Sequence, residues 1–108
     1  MKNLIIESLS KKINEIVKNL EFKDKMENVV LFGSYANGNA NLETSDLNIC
    51  IQGDIDPLEL VEIRVILEGL LEMKGKVHLV RLKDAYEENE ELYNVILRDG
   101  VIIYAKGK

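Results

Sequence analysis

Seven residues, Asp46-Leu47-Asn48-Ile49-Cys50-Ile51-Gln52, constrain this chain more than any other stretch. Successive side chains of a β-strand point to opposite faces. Read as a strand over 46–52, the stretch puts Leu47, Ile49 and Ile51 on a core face and Asp46, Asn48, Cys50 and Gln52 on the other. A slip of one residue would bury the polar set, so the register is closely determined. Asp46 and Asn48 are thereby set side by side on one sheet face, with Leu47 pinning the strand to the core.

Upstream, the apolar run Val29 to Phe32 predicts a strand over 28–32 that stops at Gly33-Ser34. A polar loop containing Tyr35, Asn37, Gly38, Asn39 and Ser45 follows. Glycine lets a backbone turn sharply and approach a ligand closely. Ser34 suits the cap of a short helix, and the free N–H groups of such a start attract anions. A phosphate cradle beside the Asp46 carboxylate is one reading of this pattern; a plain Gly-Ser turn is the other.

The remaining segments alternate helix and strand. Ile5, Ile6, Leu9, Ile13, Ile16, Val17 and Leu20 fall on one face of a helix over 3–20. Asp56-Pro57-Leu58-Glu59 announces a second helix, with Asp56 as N-cap, Pro57 at the first position and Glu59 closing a capping box. That helix is expected to reach Met73, with Gly75 as its left-handed stop. Its apolar residues, Leu58, Leu60, Val61, Ile63, Val65, Ile66, Leu67, Leu70 and Leu71, exceed one buried stripe. They imply either a dimer or partner interface along helix 57–73 or cover from both sides within the chain. A strand over 76–82 follows, with His78, Val80 and Leu82 on one face. Then come a helix from Asp84 or Tyr86 to Arg98, whose acidic first turn is Glu87-Glu88-Glu90-Glu91, and a last strand over 101–104. Ala105 to Lys108 reads as a frayed tail. The alternation predicts one α/β domain over 1–108, a mixed sheet of about four strands with flanking helices.

Charge and cysteine usage narrow the function classes. A net charge of −5 without a basic stripe argues against general nucleic-acid binding. No apolar run approaches the length of a membrane span, and Met1 to Ile6 lacks the long apolar centre of a signal peptide. The single cysteine, Cys50, cannot form an internal disulfide, which points to a cytoplasmic protein.

In order, Gly33-Ser34-Tyr35-Ala36-x-Gly38-x-Ala40 and Ser45-Asp46-Leu47-Asn48-Ile49 resemble the signature of the minimal nucleotidyltransferases, small members of the polymerase-beta-like superfamily. The likeness extends through Val77-His78-Leu79-Val80 to Ile96-Leu97-Arg98-Asp99-Gly100-Val101. It implies a palm-like nucleotidyltransferase fold and Mg²⁺-dependent transfer of a nucleoside monophosphate, typically from ATP, to a hydroxyl. Gly33 and Ser34 would then cradle the nucleotide phosphates, and Asn37 would stand where an arginine often counters their charge. Asp46 would be the first metal ligand. The family's second and third aspartate positions fall on Asn48 and His78.

These departures bear on one function. Mg²⁺ prefers charged oxygen ligands, and Asn48 offers only a carbonyl oxygen. His78 offers a nitrogen, which Zn²⁺ or Ni²⁺ accepts better. Asp46 and Asn48 can hold one Mg²⁺ brought with ATP, whereas a stable two-metal site is not expected. His78 has three readings: general base for the acceptor hydroxyl, a transition-metal ligand with Asp46 and Cys50, or an exposed strand residue without a role. The resemblance further implies a toxin–antitoxin pair in which such a protein, as antitoxin, modifies a small helical HEPN partner with AMP. The expectation is therefore a catalytically impaired, partner-binding member, a pseudoenzyme; the alternative is an active single-metal nucleotidyltransferase using Asp46 and His78.

Overall fold

The apolar runs become a four-stranded mixed sheet covered on both faces by helices. The computed structural model describes residues 2–41 and 43–107, the side chains of residues 2–5 excepted. In chain order the elements are α1 (Lys2–Lys18), β1 (Met26–Phe32), α2 (Ser34–Asn37), β2 (Leu47–Gly53), α3 (Pro57–Leu70), β3 (Val77–Arg81), α4 (Leu82–Glu88), α5 (Glu90–Asp99) and β4 (Val101–Ala105). The strand order is β3-β2-β1-β4. β1 pairs antiparallel with β2 and β4, while β2 and β3 run parallel and are joined by the α3 crossover.

One face of the sheet carries the main core. Ile13, Val17 and Leu20 near the first helix and Ile63 and Leu67 of α3 pack with Val29, Leu31, Leu47, Ile49, Ile51 and Val77. Ile5, expected on the apolar face of α1, lies outside the described side chains, and Lys108 of the tail outside the described residues. The second face holds a smaller cluster of Phe32, Cys50, Ala85 and Ile96 beneath α4 and α5. This overturns the placement of Cys50 on an open polar face. Burial among apolar groups pushes its thiol up to about 12, so it stays a neutral core side chain. Because α4 and α5 cover that face only from Cys50 onward, the Asn48 end is left half-open.

Several boundaries differ from expectation. β1 starts two residues early at Met26, and β2 starts at Leu47, leaving Asp46 just before the ladder. α3 ends at Leu70, three residues short of Met73, and Glu72 adopts φ 54° in the turn that follows. Leu82 opens α4 rather than closing a strand: the Arg81 guanidinium holds both Asp84 oxygens at 2.7 and 2.8 Å and donates to the Ile55 carbonyl. The expected single helix up to Arg98 is broken at Asn89, whose side chain accepts the Leu92 N–H and caps α5. Glu90 and Glu91 thus lie in a first turn, whereas Glu87 and Glu88 end the helix before it. No helix among the described residues is long and apolar enough to cross a membrane.

The capping box of α3 forms as read: Asp56 accepts the Glu59 N–H at 2.8 Å and Glu59 accepts the Asp56 N–H at 3.0 Å. Removing the Asp56 carboxylate in Asp56→Ala leaves the Glu59 N–H without its acceptor and should lower the urea midpoint. Hydrogen bonds from the Glu59 backbone hold the Asp56 carboxyl below the usual range, and the Arg81 fork does the same to Asp84. A carboxyl with a depressed folded-state pKa stabilises above its unfolded value and loses that contribution as pH falls through the folded one. The urea midpoint should therefore fall between about pH 5 and pH 2, and fall less in Asp56→Ala.

Candidate active site

The site is assembled where β1 ends and β2 begins. Gly33, at φ 79° and ψ −155°, is the N-cap of α2, with no side-chain cap; Ser34 is the first helical residue rather than the cap expected of it. The glycine is required for packing as well as for its dihedral angles. A Cβ at position 33 would lie 2.7 Å from the Asn48 amide nitrogen. The register Phe32↔Asn48 explains this closeness, since it sets Asn48 beside the residue that precedes the turn.

Across the other side of β2, Asn48 pairs with His78 of β3. The His78 Nε2 lies 3.8 Å from Asp46 Oδ2, and both side chains are well exposed (67% and 49%). Asn48 Nδ2 is 3.4 Å from the Asp46 carbonyl oxygen, a long contact. Three of the expected residues, Asp46, Asn48 and His78, therefore form one group with Gly33 against its edge. The loop before it is ordered by Asn41, which donates its N–H to Ser45 Oγ at 2.8 Å and accepts the Glu43 N–H. The Leu47 N–H donates to the Lys76 carbonyl, which ties the starts of β2 and β3 together.

Asn37 is not part of that group. It is exposed at the end of α2, and its Oδ1 accepts the Asn39 N–H at 3.1 Å. Cys50 also lies elsewhere, and among the described residues no three His, Cys, Asp or Glu side chains come together as metal ligands. A transition-metal centre of Asp46, Cys50 and His78 is therefore not what this fold builds. Sequence reading passed over Arg64. It lines, with Leu60, Val61, Glu68 and His78, a cavity of about 290 Å³ between α3 and β3. The signal was present in the i, i+4, i+8 spacing of Leu60, Arg64 and Glu68.

The donor set decides which ions fit. One carboxylate, one amide and one imidazole do not fit a pair of Mg²⁺ ions, which demand several charged oxygens. They fit at most a single ion that arrives with its own phosphate ligands.

Residues 11–108 match the family profile described as polymerase beta, nucleotidyltransferase. No curated protein matches the chain. Among solved structures, it is similar to a toxin–antitoxin crystallised with AMP-PNP, at 23% identity and TM-score 0.70, over 91% of this chain and 74% of that one. It is also similar to the MntA-HepT toxin–antitoxin, at 20% identity and TM-score 0.64, over 92% and 72% of the two chains. A third likeness is to the tri-AMPylated Shewanella oneidensis HEPN toxin in complex with MNT antitoxin, at 21% identity and TM-score 0.61, over 97% and 73%. At these identities the structural likeness speaks for the fold, and the profile, covering nearly all of the sequence, speaks for the family. The chain belongs to the polymerase beta nucleotidyltransferase family.

Proposed function

We propose that the chain is an antitoxin-like, partner-binding member of its family whose nucleotidyl-transfer apparatus is impaired, and that its partner is a small helical HEPN-type protein. The observation that carries this reading is the composition of the site: Asp46 stands alone as a carboxylate between Asn48 and His78. Nucleotidyl transfer depends on metal-held phosphates and an activated hydroxyl far more than on covalent help from the protein. Here Gly33 and Ser34 would receive the phosphates of Mg-ATP, with Asp46 and the Asn48 carbonyl oxygen beside them. That arrangement favours weak, single-ion nucleotide binding over turnover.

The likeness to toxin–antitoxin structures supports the class of partner. So does the outer face of α3. Leu58 is 82% exposed and Val61 and Val65 are also exposed, at i, i+3 and i+7 on one side of the helix. All three stay half-exposed or more among the described residues, so of the two readings of this helix the open stripe favours a partner or self-association. Such a stripe fits a groove or helix on another protein.

Mixing the purified chain with the neighbouring gene's product, Mg²⁺ and labelled ATP tests this. A stable complex by light scattering, with no label on either protein, is the expected result. Val61→Glu with Val65→Glu should weaken the complex about tenfold or more. A second reading has one observation in its favour, the 3.8 Å approach of His78 Nε2 to Asp46 Oδ2. In it, Asp46 faces His78 Nε2 and orients the ring, the other ring nitrogen, Nδ1, takes the proton from the acceptor hydroxyl, and pyrophosphate leaves as AMP is transferred. Label that appears on the partner and disappears with both Asp46→Ala and His78→Asn would overturn the impaired reading in favour of this one.

A further inference from the structure

At the far end of β2 from Asp46 lies a groove of about 600 Å³ that the nucleotide chemistry does not use. It lies on the same sheet face as Asn48, and Gln52 in its wall is four residues further along the strand, about 13 Å away. One wall is aromatic: the rings of Tyr86 and Tyr93 meet edge to face with centroids 5.1 Å apart. Tyr86 is 69% exposed, an aromatic face left open to solvent. Glu27 and Asp54 line the same groove, and neither forms an ion pair among the described residues. Lys83 is the one cation among the described lining residues.

The surroundings reinforce the sign of the charge. Residues 81–99 contain Asp84, Glu87, Glu88, Glu90, Glu91 and Asp99 against Arg81, Lys83 and Arg98, so they carry −3 of the chain's net −5. An exposed aromatic ring, backed by the half-buried Tyr93 and sharing its groove with unpaired carboxylates, is complementary to a planar cation, which stacks on the ring and donates to the oxygens. We infer that this groove binds an arginine-bearing segment of a protein partner, its guanidinium lying against Tyr86 and donating to Glu27 and Asp54. The site is independent of Asp46 and of any nucleotide.

An N-acetylated, C-amidated tetra-arginine peptide titrated into the full chain tests the assignment. Backbone amide shifts should concentrate at Gln52, Gly53 and residues 82–86, while a tetra-glutamate peptide should leave them unmoved. Tyr86→Ala keeps the net charge at −5 and removes only the ring, and it should weaken binding about fivefold or more. Tyr86→Phe should bind like the parent chain. Glu27→Gln with Asp54→Asn should weaken binding about fivefold, and Lys83→Gln should tighten it about twofold. Equal binding by Tyr86→Ala, or shifts spread over Glu87 to Glu91, would reduce the effect to general attraction and overturn the assignment. No binding of the peptide would overturn it equally.

Discussion

The double replacement Asn48→Asp with His78→Asp is expected to destabilise the metal-free chain and to make it respond to Mg²⁺, which the parent chain should not do. Positions 48 and 78 are directly paired across β2 and β3, and His78 already approaches Asp46. Two new carboxylates there face each other at about 5 Å, the spacing of neighbouring strands, with Asp46 two residues before position 48, about 7 Å along the chain. Like charges opposed across a ladder are unfavourable by about 0.2–1 kcal/mol each. Asn48→Asp adds a second penalty, because the amide nitrogen facing the Asp46 carbonyl becomes an oxygen. The metal-free variant should therefore melt several degrees below the parent. Three convergent carboxylates also supply the charged oxygens through which Mg²⁺, keeping several of its waters, is bound. A ligand at a hundred times its Kd adds about 2.7 kcal/mol of stability. Saturating Mg²⁺ should then raise the variant's Tm by on the order of 10 °C for a chain of this size. The parent, with Asp46 alone, should shift by no more than about 1 °C. Calorimetric titration of the parent that shows two bound ions per chain would contradict the single-carboxylate account.

What the sequence made legible was set by neighbours close along the chain. The α3 capping box lies within four residues, and it formed with both of its hydrogen bonds. The alternation of β2 placed Leu47, Ile49 and Ile51 in the core, and the Gly33 turn came next to Asn48 through the β1–β2 pairing. The failures came from distant cover. Cys50 sits at a position the alternation assigns to the polar face, yet α4 and α5, more than thirty residues downstream, fold over it. No local pattern announces that. The helix break was hidden because Ala85, Leu92 and Ile96 keep helical spacing across Asn89, and the cap that starts the next helix is one side chain's choice of partner. Leu82 continued the His78, Val80 alternation, so only the Arg81–Asp84 fork distinguishes strand end from strand interior. Asp46 and Asn48 were readable from the β2 alternation, whereas His78 joined them only through the resemblance of Val77-His78-Leu79-Val80 to the family; the parallel β2–β3 pairing sets it beside Asn48. Arg64 and the Tyr86–Tyr93 groove were not readable, since each is completed by strands from elsewhere in the chain.

Ile49→Ala is expected to cost about 4 kcal/mol, within the range measured for removing a buried isoleucine or leucine from a packed core. Ile49 is 0% exposed on β2, paired with Leu31 on one side and Leu79 on the other, inside the cluster shared by α1 and α3. Because helices cover that face and strands flank it on both sides, the surroundings can close only partly over the lost methyl groups, and a cavity remains. Domains of this size have total stabilities of about 5–15 kcal/mol, so the loss takes up a large part of the margin. Ile49→Val, which removes one methyl group, should cost about 1 kcal/mol. Ile102→Ala, at an exposed position on the edge strand, should cost no more than about 0.5 kcal/mol. Urea midpoints at constant slope measure all three. The ordering matters for the site, because Leu47 and Ile49 fix the height at which Asn48 meets Gly33. A loss below about 1 kcal/mol for Ile49→Ala would mean that β2 is not the pinned strand. The alignment of Asp46, Asn48 and His78 would then lose its structural basis.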